Sequence, residues 1–297
     1  MTMIGIDIGG TNFRIGAVDD NGTLLKFDKV PVKTILHSGD VLADLAETIR
    51  SFSENMEIEA AAIGFPATLN ADRSAVIQAP NIPFMENLPV CEILSEKLGI
   101  PVYAERDVTY ALCYDMAKYH VDEAGITCGI YYGTGIGNAI AINGIPLVGR
   151  HGTAGELGHI PVAGSEEPCG CGNKGCLEAA AGGKALAKLQ REQFPETEIK
   201  DLFLRHADDP KLAEFLNLMS LAAATEINIL DPDHVLIGGG VFNMNGFPME
   251  TFREKIMEKV RKPLPYNDLD LIFTEDEREK CVIGAAAYAK KQMNTKK

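Results

Sequence analysis

Basic residues are scarce in this chain: 28 Lys and Arg stand against 42 Asp and Glu, giving a formal net charge of -14 and a pI of about 4.9. Such a field repels polyanions, and no run of Lys or Arg forms a stripe that could follow a phosphate backbone. Nucleic acid is therefore excluded as an expected partner. Long apolar runs are missing too, since none approaches the ~20 residues that a bilayer span requires. The opening stretch MTMIGIDIGGTNFRIG lacks a basic leader ahead of an apolar segment. The expectation is a cytoplasmic protein with no membrane partner. Two common phosphate signatures are also absent: there is no G-x-x-x-x-G-K-[ST], and no strand runs into a G-x-G-x-x-G that opens a helix.

What remains is the composition of an ordinary soluble chain, 46% hydrophobic and 24% charged, whose 297 residues exceed a typical single core. Two lobes are expected, one from 1–115 joined by the C-terminal segment 281–297, and a larger one from 116–280. No linker separates them, so the boundary and a cleft are expected where the chain crosses near 105–120. Met3 to Ile8 is an apolar run ending in Gly9-Gly10-Thr11, and Phe13 to Val18 is a second run stopping at Asn21-Gly22. The plan recurs as Gly129 to Tyr132, then Gly133-Thr134-Gly135-Ile136-Gly137, then Ala139 to Ile142, then Asn143-Gly144. Two hairpins of one layout suggest a duplicated architecture. Helical spacing places Leu42, Leu45, Ile49 and Phe52 on one face behind an Asp40 cap. Further helices are expected at 91–98, 108–120, 177–193, 210–230, 248–261 and 281–291, with buried strands at 59–65, 100–104, 234–237 and 270–273. The alternation makes this an α/β protein.

Three glycine-rich turns follow strands. Asp7-Ile8-Gly9-Gly10-Thr11-Asn12 puts a carboxylate at a strand end, before residues whose small side chains let backbone N–H groups approach phosphate oxygens. Asp7 is placed to hold a hydrated Mg²⁺, and Thr11 adds a hydroxyl. Gly133, Thr134, Gly135 and Gly137 form a second cradle, and Gly238-Gly239-Gly240 can admit the flat face of a base. Each turn taken singly is as well explained by conformational need alone.

Of seven cysteines, Cys169, Cys171 and Cys176 crowd together ten residues and more after His159. One imidazole and three thiolates make the closed tetrahedral set that Zn²⁺ favours, so a structural zinc is expected. Cys91, Cys113, Cys128 and Cys281 read as core residues. Glu156 and Glu178 flank the metal loop, where they are either solvated loop side chains or acceptors for vicinal sugar hydroxyls. Asp107 follows the strand at 100–104 and opens a helix; it is a helix N-cap, a base for an attacking hydroxyl, or both. Asn81, in Ala79-Pro80-Asn81-Ile82-Pro83, is a turn residue or a hydroxyl partner.

Together these residues resemble the ROK family, within the wider actin and hexokinase-like ATPase fold. The resemblance spans essentially the whole chain and is most specific from Gly133 through Ala154-Gly155-Glu156-Leu157-Gly158-His159 to Cys176-Leu177-Glu178. It implies a two-lobed α/β protein with duplicated ribonuclease H-like domains and a central cleft, acting as an ATP-dependent hexose kinase and assembling as a homodimer. It also implies that Asp7 to Asn12 and Gly133 to Gly137 hold the ATP phosphates and that Gly238 to Gly240 flank the adenosine. By the same likeness Asp107 is the catalytic base, while Asn81, Glu156, His159 and Glu178 contact the sugar. His159 then serves twice, as zinc ligand through one nitrogen and sugar contact through the other. Many members read Gly-x-Pro-Gly and Asn-Asp where this chain has Gly64-Phe65-Pro66-Ala67 and Arg106-Asp107. Those variants are most similar to the members that act on D-allose. The family's repressors carry a helix-turn-helix ahead of the sugar lobe, and here the phosphate strand begins by Met3, so a kinase is expected.

Overall fold

The first apolar run forms β1 (Thr2–Ile8), the central strand of a sheet that also holds β2 (Asn12–Asp19), β3 (Leu24–Pro31) and β4 (Ile58–Phe65). A small hairpin of β5 (Thr68–Leu69) and β6 (Val76–Gln78) precedes the last strand, β7 (Val102–Arg106). The computed structural model describes residues 1–295. Strand order in this sheet is β3-β2-β1-β4-β7, antiparallel across the first three strands and parallel across the last three.

A second sheet is built from β8 (Ile126–Tyr132), β9 (Ile136–Ile142), β10 (Ile145–Pro146), β11 (His234–Gly238) and β12 (Asp270–Phe273). Its order is β10-β9-β8-β11-β12, with β8 antiparallel to β9, β9 antiparallel to β10, and β8, β11 and β12 parallel. The two sheets thus repeat one topology, the duplication that the paired hairpins signalled.

The sheets belong to two compact units. One comprises Met1–Val121, Val148–Ala154 and the residues from Glu277 onward; the other comprises Asp122–Leu147 and Gly155–Asp276. The chain therefore passes between units after Val121, Leu147, Ala154 and Asp276, alongside an expected division into 1–115 with 281–297 and 116–280. The helix Asp107–Lys118 stays whole in the first unit because its Tyr110 is packed beneath the C-terminal helix.

In the first unit the two faces of β1 divide as the strand period requires. Ile4, Ile6 and Ile8 join Phe13, Leu45, Ile49 and Phe65 in one core, while Met3 joins Ala60, Ala62, Tyr110, Ala285 and Ala289 in another. The C-terminal helix Lys280–Thr295 lies directly on β1, because a Cβ at Gly5 would sit 1.9 Å from the Val282 carbonyl oxygen. Gly284 gives the same close approach to the Tyr110 carbonyl oxygen, also at 1.9 Å. A buried Lys280–Asp115 ion pair at 3.0 Å joins this helix to Asp107–Lys118. The last two residues of the expected 281–297 segment lie outside the described residues.

In the second unit Tyr132, Phe242 and Phe252 stack edge to face, at 5.7 Å and 6.0 Å from the Tyr132 ring, beneath the helix Pro210–Leu230. The expected helix over 177–193 is two helices, Leu177–Ala181 and Gly183–Gln193, with the break at Gly182. The strand expected at 100–104 runs instead from Val102 to Arg106, which brings its end directly to Asp107. No helix among the described residues is long and apolar enough to cross a membrane.

Candidate active site

Asp7 stands one residue before the end of β1 and faces Arg14 across the antiparallel pair with β2. Arg14 Nη1 donates to Asp7 Oδ2 at 2.5 Å. Burial lifts the Asp7 carboxyl above the ordinary range, and the Arg14 guanidinium works against that rise. Asp107 is the first residue of the helix Asp107–Lys118, directly after β7. The N-cap position is taken by Arg106, so the capping alternative for Asp107 is corrected: its Oδ1 accepts the next N–H, from Val108, at 2.8 Å. Desolvation, and then the charge of Asp7, push Asp107 from 3.8 up to about 7. Gly64 lies against this helix start: a Cβ there would be 3.1 Å from Tyr110 Cδ2 and 3.4 Å from the Asp107 Cα.

The first glycine turn is closed by the Gly9 N–H donating to the Asn12 carbonyl at 2.9 Å. A Cβ at Gly10 would come 2.9 Å from the Asn81 carbonyl oxygen, so this turn and the 79–83 loop touch. Asn81 is exposed inside a tight turn in which the Ile82 N–H donates to the Ala79 carbonyl at 2.9 Å. Asp7, Gly9 to Asn12, Asn81 and Asp107 are thus all held by the first unit.

The second unit holds Glu156, His159, the three cysteines, Glu178 and the other two glycine turns. The donor atoms of His159, Cys169, Cys171 and Cys176 all lie within 4.8 Å of one another. Cys171 Sγ and Cys176 Sγ are 3.6 Å apart, and Cys169 Sγ is 3.5 Å from His159 Nδ1. Two thiolates at about 2.3 Å from a tetrahedral zinc stand roughly 3.8 Å apart, so the donor set fits that ion. Gly172 and Gly175 have φ of +95° and +74°, and Gly175 passes so close to Ser165 that a Cβ would meet its carbonyl oxygen at 2.4 Å. Glycine is required there for the loop to fold back. With Nδ1 turned to the thiols, the other ring nitrogen of His159 stands 3.6 Å from Glu156 Oε2.

Glu178 is reached through the second glycine turn. Its Oε2 accepts the Ile136 N–H at 2.9 Å, and a Cβ at Gly135 would lie 2.0 Å from that oxygen. The turn's Gly133 N–H is likewise committed, to the Gly135 carbonyl at 3.0 Å. Gly182 and Gly183, which motif reading passed over, press against the same turn; a Cβ at Gly183 would be 2.4 Å from the Gly133 carbonyl oxygen. At the third cluster, Gly239 has φ +110° and would place a Cβ 2.5 Å from the Tyr132 carbonyl oxygen, whereas nothing lies nearer than 3.7 Å to one at Gly240. Gly239 therefore serves the crossing of two strand ends, and Gly240 is the open member.

Beside the acid pair, Arg14 went unread and Cys281 was read only as a core residue. Arg14 has its meaning only in the cross-strand register, and Cys281 feels both carboxylates: burial raises its thiol well above the ordinary value, and Asp7 and Asp107 raise it further.

Comparison with known proteins supplies the relatives. The ROK family profile matches residues 3–292. A glucokinase of Thermotoga maritima is 28% identical, with the alignment covering 99% of this chain and 98% of that protein. The solved ROK hexokinase of Thermus thermophilus is 30% identical with a TM-score of 0.82, covering 99% of this chain and 100% of the other. A ROK family glucokinase of Streptomyces griseus, solved with glucose and AMPPNP, is 25% identical with a TM-score of 0.79, covering 98% and 100%.

Proposed function

This chain belongs to the ROK family, and from that footing we propose that it is an ATP-dependent sugar kinase acting on the 6-hydroxyl of a free hexose, D-allose foremost. The observation that carries the reading is Asp107, a half-buried residue at the junction of β7 and its helix whose carboxyl is pushed up to about 7 by desolvation and by a second acid, Asp7. A general base is most effective when its pKa lies near the working pH, and phosphoryl transfer asks little else of the protein than a base, positioning and charge stabilisation.

In this reading Asp107 accepts the proton of the 6-hydroxyl as that oxygen attacks the γ-phosphate. Asn81, Glu156 and Glu178 orient the sugar through its hydroxyls, and His159 contributes its remaining nitrogen. Glu178 enters with one oxygen already fixed by the Ile136 N–H, which limits how its carboxylate can turn. The turns at Gly9 to Asn12 and Gly133 to Gly137 hold phosphates through backbone amides and Thr11 and Thr134, while the glycines at 238–240 flank the adenosine. Asp7 would hold hydrated Mg²⁺, which supplies charge neutralisation on the phosphates. His159, Cys169, Cys171 and Cys176 would hold Zn²⁺ with no open position, a structural role that fixes where Glu156 and Glu178 stand.

D-allose is favoured over other hexoses by two departures from the commoner family pattern, at Gly64-Phe65-Pro66-Ala67 and at Arg106-Asp107. The relatives named above are hexose or glucose kinases at 25 to 30% identity, a distance that leaves room for a changed sugar. A coupled assay of ADP release over a panel of free hexoses tests this. We expect the highest kcat/KM with D-allose; a higher value with glucose, N-acetylmannosamine, N-acetylglucosamine or fructose would reassign the substrate within the same activity.

A further inference from the structure

A buried network in the first unit takes no part in the chemistry above. Arg73 stands between β5 and β6 with φ +61°, a left-handed backbone that is uncommon for any residue with a side chain. Its Nε donates to Glu105 Oε2 at 2.9 Å and its Nη1 donates to the Gly152 carbonyl at 2.9 Å. Glu105 is wholly buried, and its other oxygen accepts the Arg106 N–H at 2.8 Å. Arg106 then sends Nη2 to the Ala154 carbonyl at 2.8 Å. Gly152 is seated so closely that a Cβ would lie 2.3 Å from the Leu69 carbonyl oxygen, and its φ is +79°.

Two guanidiniums thus fix two carbonyls of Val148–Ala154, the only stretch of the first unit that lies between two parts of the second in sequence. Glu156 follows Ala154 by two residues. A buried ion pair often does no more than offset its own desolvation, so stability is a weak account of three charged side chains directed at one short segment. Holding that segment in one place is a stronger one.

We propose that Arg73, Glu105 and Arg106 form a clamp that sets the position of residues 148–154 and, through the chain, of the Glu156 carboxylate. The inference rests on the kinase reading and deepens it: these are positioning residues for hexose affinity. Arg106 occupies a position where many family members carry asparagine, so one arm of the clamp is a departure from the common pattern that bears on sugar selection.

The test is steady-state kinetics of Arg73→Lys and Gly152→Ala, with hexose and ATP varied separately. Arg73→Lys keeps the charge beside Glu105 and loses the planar fork. Gly152→Ala leaves both arginines intact and displaces the segment they hold. Each is expected to raise KM for hexose roughly tenfold, the worth of one charge-assisted hydrogen bond. KM for ATP should stay within about twofold and kcat within about threefold, the pattern of lost uniform binding. The double variant should be little worse than either single one, because both changes undo the same contact. A cooperatively melting Gly152→Ala protein with wild-type KM for hexose overturns the clamp, whether or not Arg73→Lys folds. So does a fall in kcat that accompanies equal changes in both KM values. A wild type that turns over no hexose would instead overturn the kinase reading, and the clamp with it.

Discussion

At Asp107 the carboxyl is raised from 3.8 to about 7, first by desolvation and then by the charge of Asp7. The base form is the ionised one, so kcat/KM should climb with pH and level off above about 7; a profile flat from pH 5 to pH 8 would remove Asp107 from the proton transfer. The same shift has a sign for stability. Between 3.8 and about 7 the folded chain keeps a proton that the unfolded chain has released, so this group makes folding less favourable as pH rises through that window. Asp107→Asn should therefore be more resistant to urea than the wild type at about pH 8 and no more resistant at about pH 4. Asp107 was legible as a candidate from its place between an apolar run and a helix. Its first-turn position, with Arg106 at the N-cap, was not, because the strand runs two residues further than its apolar stretch. Arg14, Arg73 and Glu105 carry no motif; each is defined by a partner that only the register or the fold supplies.

Among the elements, the loop from His159 to Cys176 was the most legible, since four scarce ligand residues at close spacing admit few other uses and the fold brings their donor atoms within 4.8 Å of one another. Its effect on function follows from its neighbours in sequence, Glu156 and Glu178. Cys171→Ser should lower the melting temperature and hexose turnover together, and a chelator should lower the melting temperature of the wild type while leaving the variant unmoved. Mass spectrometry of the native protein should find about one zinc per chain; full sugar binding in verified zinc-free protein would contradict the coupling. The helical period carried on through Gly182, and so one helix was expected where there are two. The break comes from outside the segment: Gly182 and Gly183 yield space to the Gly133 to Gly135 turn, a contact between residues far apart in sequence. The edge strand β3 was unread for the opposite reason, since it buries none of its side chains fully and shows no apolar alternation.

Over the whole molecule, duplication was visible in two hairpins of one layout, and the strand orders extend it to both five-stranded sheets. The return of residues 148–154 to the first unit was not readable, because it comes from packing rather than from any change of composition. The C-terminal helix docks through glycine. Gly284→Ala would put a methyl 1.9 Å from the Tyr110 carbonyl oxygen and should cost about 1–3 kcal/mol in urea unfolding. An unchanged midpoint would mean that the helix rides further from Asp107–Lys118 than described. Phosphoryl transfer to a sugar, with Asp107 as the base, is the activity proposed for the whole molecule. The direct measurement is ADP release by wild-type and Asp107→Asn proteins with D-allose, alongside calorimetric titration of the sugar. We predict hexose-dependent turnover in the wild type, none above background in Asp107→Asn, and sugar affinities within a few fold of each other. Near-normal kcat in Asp107→Asn would contradict it.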